Sequence, residues 1–164
     1  MKLFHGSHDD TAPEIKLGVL GLGGAADNVF EGLFASDYAS VAKAHGDGET
    51  VYAYEVDEEK IADNASLNER IEEIIKFLGT EVYACDIDDE TIKALAYALA
   101  DDEYTDEFDE ILYPRSCVLH RQACGWEMQR LRGRAAAYLG FDAVEMDDEH
   151  GTSYLIVNPE IKAV

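Results

Sequence analysis

The residues best suited to chemistry sit near the two ends of the chain. His5, Gly6 and Ser7 follow the short run Lys2-Leu3-Phe4. An imidazole can bond a sugar hydroxyl, and a glycine leaves its backbone N–H and C=O open to an amide group. Gly32-Leu33-Phe34-Ala35-Ser36 offers an aromatic on a short apolar segment, where a flat ring could stack on a planar heterocycle. Ser153-Tyr154-Leu155-Ile156-Val157-Asn158 is a late apolar run. These three fragments are far apart in sequence. They form one cleft only if a first strand end, a buried glycine-aromatic strand and a last strand meet.

The elements that would position them can be read from pattern. Residues 2 to 5 and 32 to 35 predict short strands, and residues 37 to 44 a helix that stops at Gly46. Val51-Tyr52-Ala53-Tyr54-Glu55-Val56 has the β-branched and aromatic content of a strand. Ser66 followed by Glu69 predicts a capping box, then Leu67, Ile71, Ile74, Ile75 and Leu78 recur at helical spacing up to Gly79. A second helix is expected over 89 to 100, with Ile92, Leu95, Ala96 and Leu99 inward. A third is expected over 117 to 139, stopped by Gly140, with Trp126 in the core. Residues 101 to 110 are acidic, anchored only by Tyr104 and Phe108, and are expected to be mobile. Strands over 143 to 146 and 152 to 157 flank a turn. Strands early, helices in the middle and strands late predict an α+β fold.

Composition narrows the function. The chain has 13 basic against 35 acidic residues in 164, a net charge of −22. Such a surface repels nucleic acid and membranes and favours cationic partners; it serves either simple solubility, as in a saline habitat, or docking on a basic, nucleic-acid-binding target. No apolar run reaches the ~18 residues that span a bilayer, and no signal peptide is read at the N-terminus. Cys85, Cys117 and Cys124 are an odd set without a C-x-x-C pair. They predict neither a disulfide framework nor a zinc site, and fit a reducing cytoplasm. Arg115, Arg121, Arg130, Arg132 and Arg134 form a basic island that could hold a pyrophosphate bidentately or pair with the acidic segment 101 to 110. Gly21, Gly23 and Ala26 match a G-x-G-x-x-A dinucleotide fingerprint, but no good helix follows and no acid ends a second strand at the required offset. A flexible loop is the better reading there.

Taken in order, the histidine-glycine pair, the Gly32-Leu33-Phe34 strand and the late strand resemble the His-Tyr-Glu branch of the ADP-ribosyltransferases. The stretch from Gly140 to Val144, then Asp148-Glu149-His150-Gly151-Thr152-Ser153-Tyr154, is similar to the small ADP-ribosyltransferase domains of phage and plasmid polyvalent proteins. It is also similar to the anti-CRISPR ADP-ribosyltransferase that acts on a type I-F surveillance complex. The resemblance implies split antiparallel sheets, with residues 1 to 164 as one such domain. Residues 57 to 134 match nothing in the family and would be a helical insert suited to target recognition.

The resemblance also implies an activity: cleavage of NAD and transfer of ADP-ribose to a protein, in the cytoplasm of a bacterial host. The target would be basic or nucleic-acid-binding, with a CRISPR surveillance complex as one candidate. His5, Gly6 and Ser7 would hold NAD. Phe34 would stack on nicotinamide, and Tyr38 or His45 would take the place of the family's second aromatic. Ala42 stands where a serine is common. In the family a glutamate usually begins the last strand, and here that position is Ser153. The breaking nicotinamide–ribose bond needs negative charge beside it, so Asp148, and next to it Glu149, are the expected catalytic carboxylates. A second reading needs no catalysis: an acidic protein that mimics DNA and blocks a nucleic-acid-binding partner.

Overall fold

The computed structural model describes residues 1–17, 28, 30–45, 50–82, 87–112, 122–148 and 151–164. Among them are strands β1 (Lys2–Ser7), β2 (Leu33–Ala35), β3 (Thr50–Glu55), β4 (Ile61–Ala62), β5 (Ala143–Asp148) and β6 (Gly151–Ile156). The helices are α1 (Ala39–His45), α2 (Asn64–Glu69), α3 (Ile71–Glu81), α4 (Asp89–Ala100), α5 (Asp109–Leu112) and α6 (Gln122–Tyr138). The expected α+β order holds. β1 and β3 form an antiparallel pair, and the other sheet runs β2-β6-β5-β4. β4 was not foreseen; two residues carry no readable period, and it joins the sheet parallel to β5.

The two sheets touch at one rung. Phe4 and Ser36 exchange both backbone hydrogen bonds, at 2.7 and 2.9 Å. No further rung joins β1 to β2 among the described residues, so the sheets split immediately beyond it.

Two cores lie on opposite faces of β6, as a period of two requires. Tyr154 and Ile156 face Leu3, Leu33, Ala35, Tyr54 and Val56. Leu155 and Val157 face the helices, with Ile74, Leu78, Leu95, Leu99, Leu131 and Ala135. β6 is therefore covered on both sides. α6 lies close against it at Gly133, where a Cβ would stand 2.5 Å from Leu155 Cδ2 and 3.3 Å from Val157 Cγ1.

Local details correct several expectations. The capping box is real but one turn earlier. Asp63 is the N-cap and accepts the Ser66 N–H at 2.8 Å, while Ser66 Oγ accepts the Asp63 N–H at 2.9 Å. The long helix expected after it is two helices, broken at Arg70, whose guanidinium donates to the Leu139 carbonyl at 2.7 Å. Gly79 lies inside α3, which continues to Glu81. The acidic segment, expected to be mobile, is folded into a 3-10 turn and α5, with Phe108 and Leu112 buried in the helical core. Trp126, expected inside, is 48% exposed. α4 falls where predicted, begun by Asp88, which accepts the Thr91 N–H at 2.8 Å.

Candidate active site at the sheet split

The His5 ring occupies the place where the next rung between β1 and β2 would be. Its Nδ1 lies 2.6 Å from the Phe34 carbonyl oxygen. A carbonyl only accepts, so Nδ1 carries the hydrogen, and in the neutral ring Nε2 is the accepting atom. The ring is 8% exposed. β1 alternates, so Leu3, His5 and Ser7 share its buried face while Phe4 and Gly6 take the other. Ser7 is buried and its Oγ accepts the Asp9 N–H at 3.1 Å. Gly6 pairs with Val51 across the β1–β3 pair.

β2 brings the late strand beside this group. Ala35 pairs with Tyr154, and Tyr154 pairs with Glu145 on β5. Through the Phe4–Ser36 rung, His5 stands level with Ala35, Tyr154 and Glu145. The three distant sequence fragments are therefore adjacent strands. Gly32 makes this approach possible: a Cβ there would lie 2.8 Å from the Ile156 carbonyl oxygen.

The other expected residues are less uniformly placed. Phe34 is half-buried against the helical core, and its ring meets Phe30 edge-on with centroids 5.1 Å apart. Tyr38 is 64% exposed just before α1, its N–H bonded to Ser36 Oγ at 3.1 Å. Ala42 is the buried residue of α1, and a small side chain there suits the close packing of α1 on β1; His45 ends the helix, exposed. Ser153 is buried, with its hydroxyl 3.4 Å from the Met146 carbonyl.

Asp148 ends β5 opposite Gly151, three residues along the strand from Glu145, so three rungs from the level of His5 and on the side away from Ser7. Its side chain, and all of Glu149, lie outside the described residues. The carboxylate level with His5 is Glu145, which sequence reasoning missed. Burial raises its pKa above the ordinary range, helped by repulsion from Asp63. Tyr154 is likewise shifted up, by burial first and then by Glu145, Asp37 and Glu58. The alternation Glu145-Met146-Asp147 within a strand ending in acids was the available signal; without the β5–β6 register it did not say which acid lies level with the histidine.

The described arginines of the basic island are committed to the fold. Arg132 is 1% exposed and donates to the Leu99, Ala100 and Glu145 carbonyls and to Asn64 Oδ1 at 2.6 to 3.0 Å. It thereby closes the C-terminal end of α4, whose terminal carbonyls lack partners within the helix. Arg130 binds Glu127 bidentately at 2.7 and 2.8 Å and lies 3.3 Å from Glu31. Arg134 reaches the same Glu31 at 3.1 Å. Glu31 itself sits at φ 57°, two residues before β2. Among the described residues, the predicted pairing with the acidic segment is seen between Arg132 and Asp102, at 3.8 Å. Arg115, Arg121, Cys85, Cys117 and the Gly21-Gly23-Ala26 loop lie outside the described residues.

Two sheets joined at one rung, a histidine at the split and a late hairpin beside it define an ADP-ribosyltransferase-like α+β protein. A family model described as anti-CRISPR type I-F ADP-ribosyltransferase AcrIF11 matches residues 1–164, and the chain belongs to that family. It is thus a member of an NAD-dependent transferase family whose name implies NAD as substrate and a protein target in the CRISPR machinery. A solved structure titled "Crystal structure of an anti-CRISPR protein" is similar over 100% of this chain and 95% of its own, at 28% identity and a TM-score of 0.63. No curated protein sequence matches significantly. The DNA-mimic alternative is not favoured by the family match. No helix among the described residues is long and apolar enough to cross a membrane.

Proposed function

We propose that this chain transfers ADP-ribose from NAD to a basic or nucleic-acid-binding protein of a type I-F CRISPR complex, in the bacterial cytoplasm, as a phage-borne effector. The reading rests on one observation above all: His5 is locked by the Phe34 carbonyl at the sheet split, with Nε2 as its accepting atom. That donor and acceptor set fits NAD. Nε2 would accept a ribose hydroxyl, Gly6 would offer its backbone to the nicotinamide amide, and Ser7 would line the strand end. Phe34, Tyr38 and His45 would supply the aromatic surroundings. NAD supplies the nicotinamide–ribose bond whose cleavage releases ADP-ribose to the acceptor. A carboxylate on β5 or its turn would stabilise the positive charge that develops and orient the acceptor. Asp148 and Glu149 are proposed for that role, and Glu145 competes because it stands level with His5. The helical segment 57 to 134 would carry target recognition.

The test is incubation with labelled NAD and purified type I-F surveillance complex, following nicotinamide release and label on protein. A discrete labelled band is expected. His5→Ala should cut transfer by about 100-fold or more, the usual scale for losing a positioned polar group at a reaction centre, with a circular dichroism spectrum like that of the parent. Full activity in His5→Ala would overturn the assignment. Running Glu145→Gln, Asp148→Asn and Glu149→Gln side by side identifies the carboxylate.

A further inference from the structure

We infer that an open cavity between α6 and the end of β5 is a docking pocket for an arginine-bearing segment of the target protein. This rests on the transferase reading above and assigns it a target-recognition surface. The cavity, about 480 Å³, is lined by Tyr104, Trp126, Met128, Gln129, Asp102 and Asp147.

Its walls are aromatic and held in place. Trp126 is 48% exposed, a large apolar ring left open to solvent. Its inner side meets Phe30 edge-on, with centroids 6.2 Å apart. Tyr104 is fixed by its hydroxyl, which donates to the Asp109 carboxylate, and the same bond pushes its pKa up to about 12. The Tyr104 ring lies against α6 at Gly125, where even an added Cβ would make only an ordinary contact with the ring, at 3.8 Å. Met128 is buried beneath.

The charges in the cavity are negative. Asp147 is exposed, and the buried Arg132 behind it interacts with it electrostatically without forming a close ion pair. Asp102 accepts the Asp147 N–H at 2.6 Å and stands 3.8 Å from the buried Arg132. A guanidinium suits this lining on both counts. It stacks on tryptophan and tyrosine faces, and its fork matches a carboxylate. A nucleotide could stack on Trp126, but its phosphates would meet two carboxylates on a chain of net charge −22. Asp147 also directly precedes Asp148, so a segment seated here would lie beside the end of β5. The pocket residues 102, 104 and 126 belong to the helical middle segment.

Trp126 is the chain's single tryptophan, so its emission reports the pocket directly. Titration of the full chain with a capped hexa-arginine peptide, without NAD, should change that emission saturably. Asp147→Asn should weaken binding ~10-fold, the scale of one charge-assisted hydrogen bond. Glu90→Gln, an exposed acid on α4, should stay within ~2-fold and controls for general attraction to an acidic surface. Trp126→Ala, followed by anisotropy of a labelled peptide, should weaken binding similarly. Equal weakening by Glu90→Gln and Asp147→Asn, no weakening in either pocket variant, or saturable quenching by adenosine but not by the peptide would each overturn the proposal. In the transfer assay, Trp126→Ala should raise KM for the protein target while nicotinamide release without target is unchanged. Loss of that basal release in the parent protein would count against the transferase reading, whereas the peptide titration, made without NAD, judges the pocket alone.

Discussion

The two faces of the β2-β6-β5-β4 sheet are held together by different means. The face toward β1 and β3 is a small core of Leu3, Leu33, Tyr54, Val56, Tyr154 and Ile156, drawn mainly from the two ends of the chain. Its polar features are backbone devices: the Phe4–Ser36 rung and the His5 bond to the Phe34 carbonyl. The helical face is larger, and buried charge runs through it. Arg132 seals the end of α4, and Arg130 and Arg134 converge on Glu31. The contrast separates two kinds of fragility. The cleft depends on register and on one ring's orientation, which a substitution can spoil without unfolding the protein. The helical face depends on buried donors and acceptors, each costly to leave unpaired.

Arg132→Met offers the hardest test of that division. It removes the guanidinium from the Ala100 and Glu145 carbonyls, from the Asn64 amide oxygen and from the Leu99 carbonyl, which still accepts the Asp102 N–H at 3.3 Å, inside a region the arginine now fills. The expected loss is about 3–5 kcal/mol, since buried groups stripped of their partner pay the desolvation cost in full. Urea denaturation measures it. A loss under about 1 kcal/mol would mean that water replaces the guanidinium and that the helical face is not held as argued. His5→Ala should do the reverse, removing transfer while moving the urea midpoint little.

Gly133→Ala probes the same face by volume. A Cβ at 2.5 Å from Leu155 Cδ2 has no room, because Leu155 is buried between β6 and the helices. Overpacking of this kind costs about 1–3 kcal/mol. Leu155 pairs with Phe34 across the sheet, so the strain can pass to the carbonyl that holds His5. Denaturation together with the transfer rate shows whether it does. Reduced stability with an unchanged rate would confirm that the two faces are mechanically separate.

How far the sequence led follows the same division. The end segments were legible because strand, turn and histidine-glycine pair lie close in sequence and resemble a known family. α4 was legible because its inward residues Ile92, Leu95, Ala96 and Leu99 keep helical spacing. The break at Arg70 was not, since Leu67, Ile71, Ile74 and Leu78 keep a period compatible with one helix, and the turn answers to the distant Leu139 carbonyl. The arginines were visible as a cluster, but their partners Glu31, Leu99 and Ala100 are set by packing between distant segments. The level of Glu145 with His5 needed two strand registers, β2 on β6 and β6 on β5, that no local pattern contains. Trp126 was misplaced because helical spacing alone does not say that the cover over one end of α6 is open.

Asp63 gives the smallest effect and joins the two regions. It caps α2 on the helical side, and its charge is among the causes that raise Glu145. Its own pKa is lowered, chiefly by the Ser66 backbone N–H and hydroxyl. A depressed carboxylate contributes stability above its unfolded value, about 3.9, and that contribution is lost as pH falls through the lower folded value. Asp63→Ala should therefore cost about 1 kcal/mol near neutral pH, the usual worth of an N-cap. The gap to the parent should shrink as pH falls through the folded value. Asp63→Asn keeps the cap oxygen and should cost less, with a flatter acid limb. Both variants should lower the Glu145 pKa, because they remove a neighbouring negative charge. Carboxyl carbon NMR titration reads that shift directly. If Glu145 is the working carboxylate, the acid limb of the transfer rate should move down with it; if Asp148 or Glu149 does the work, the rate profile should stay while the Glu145 signal moves.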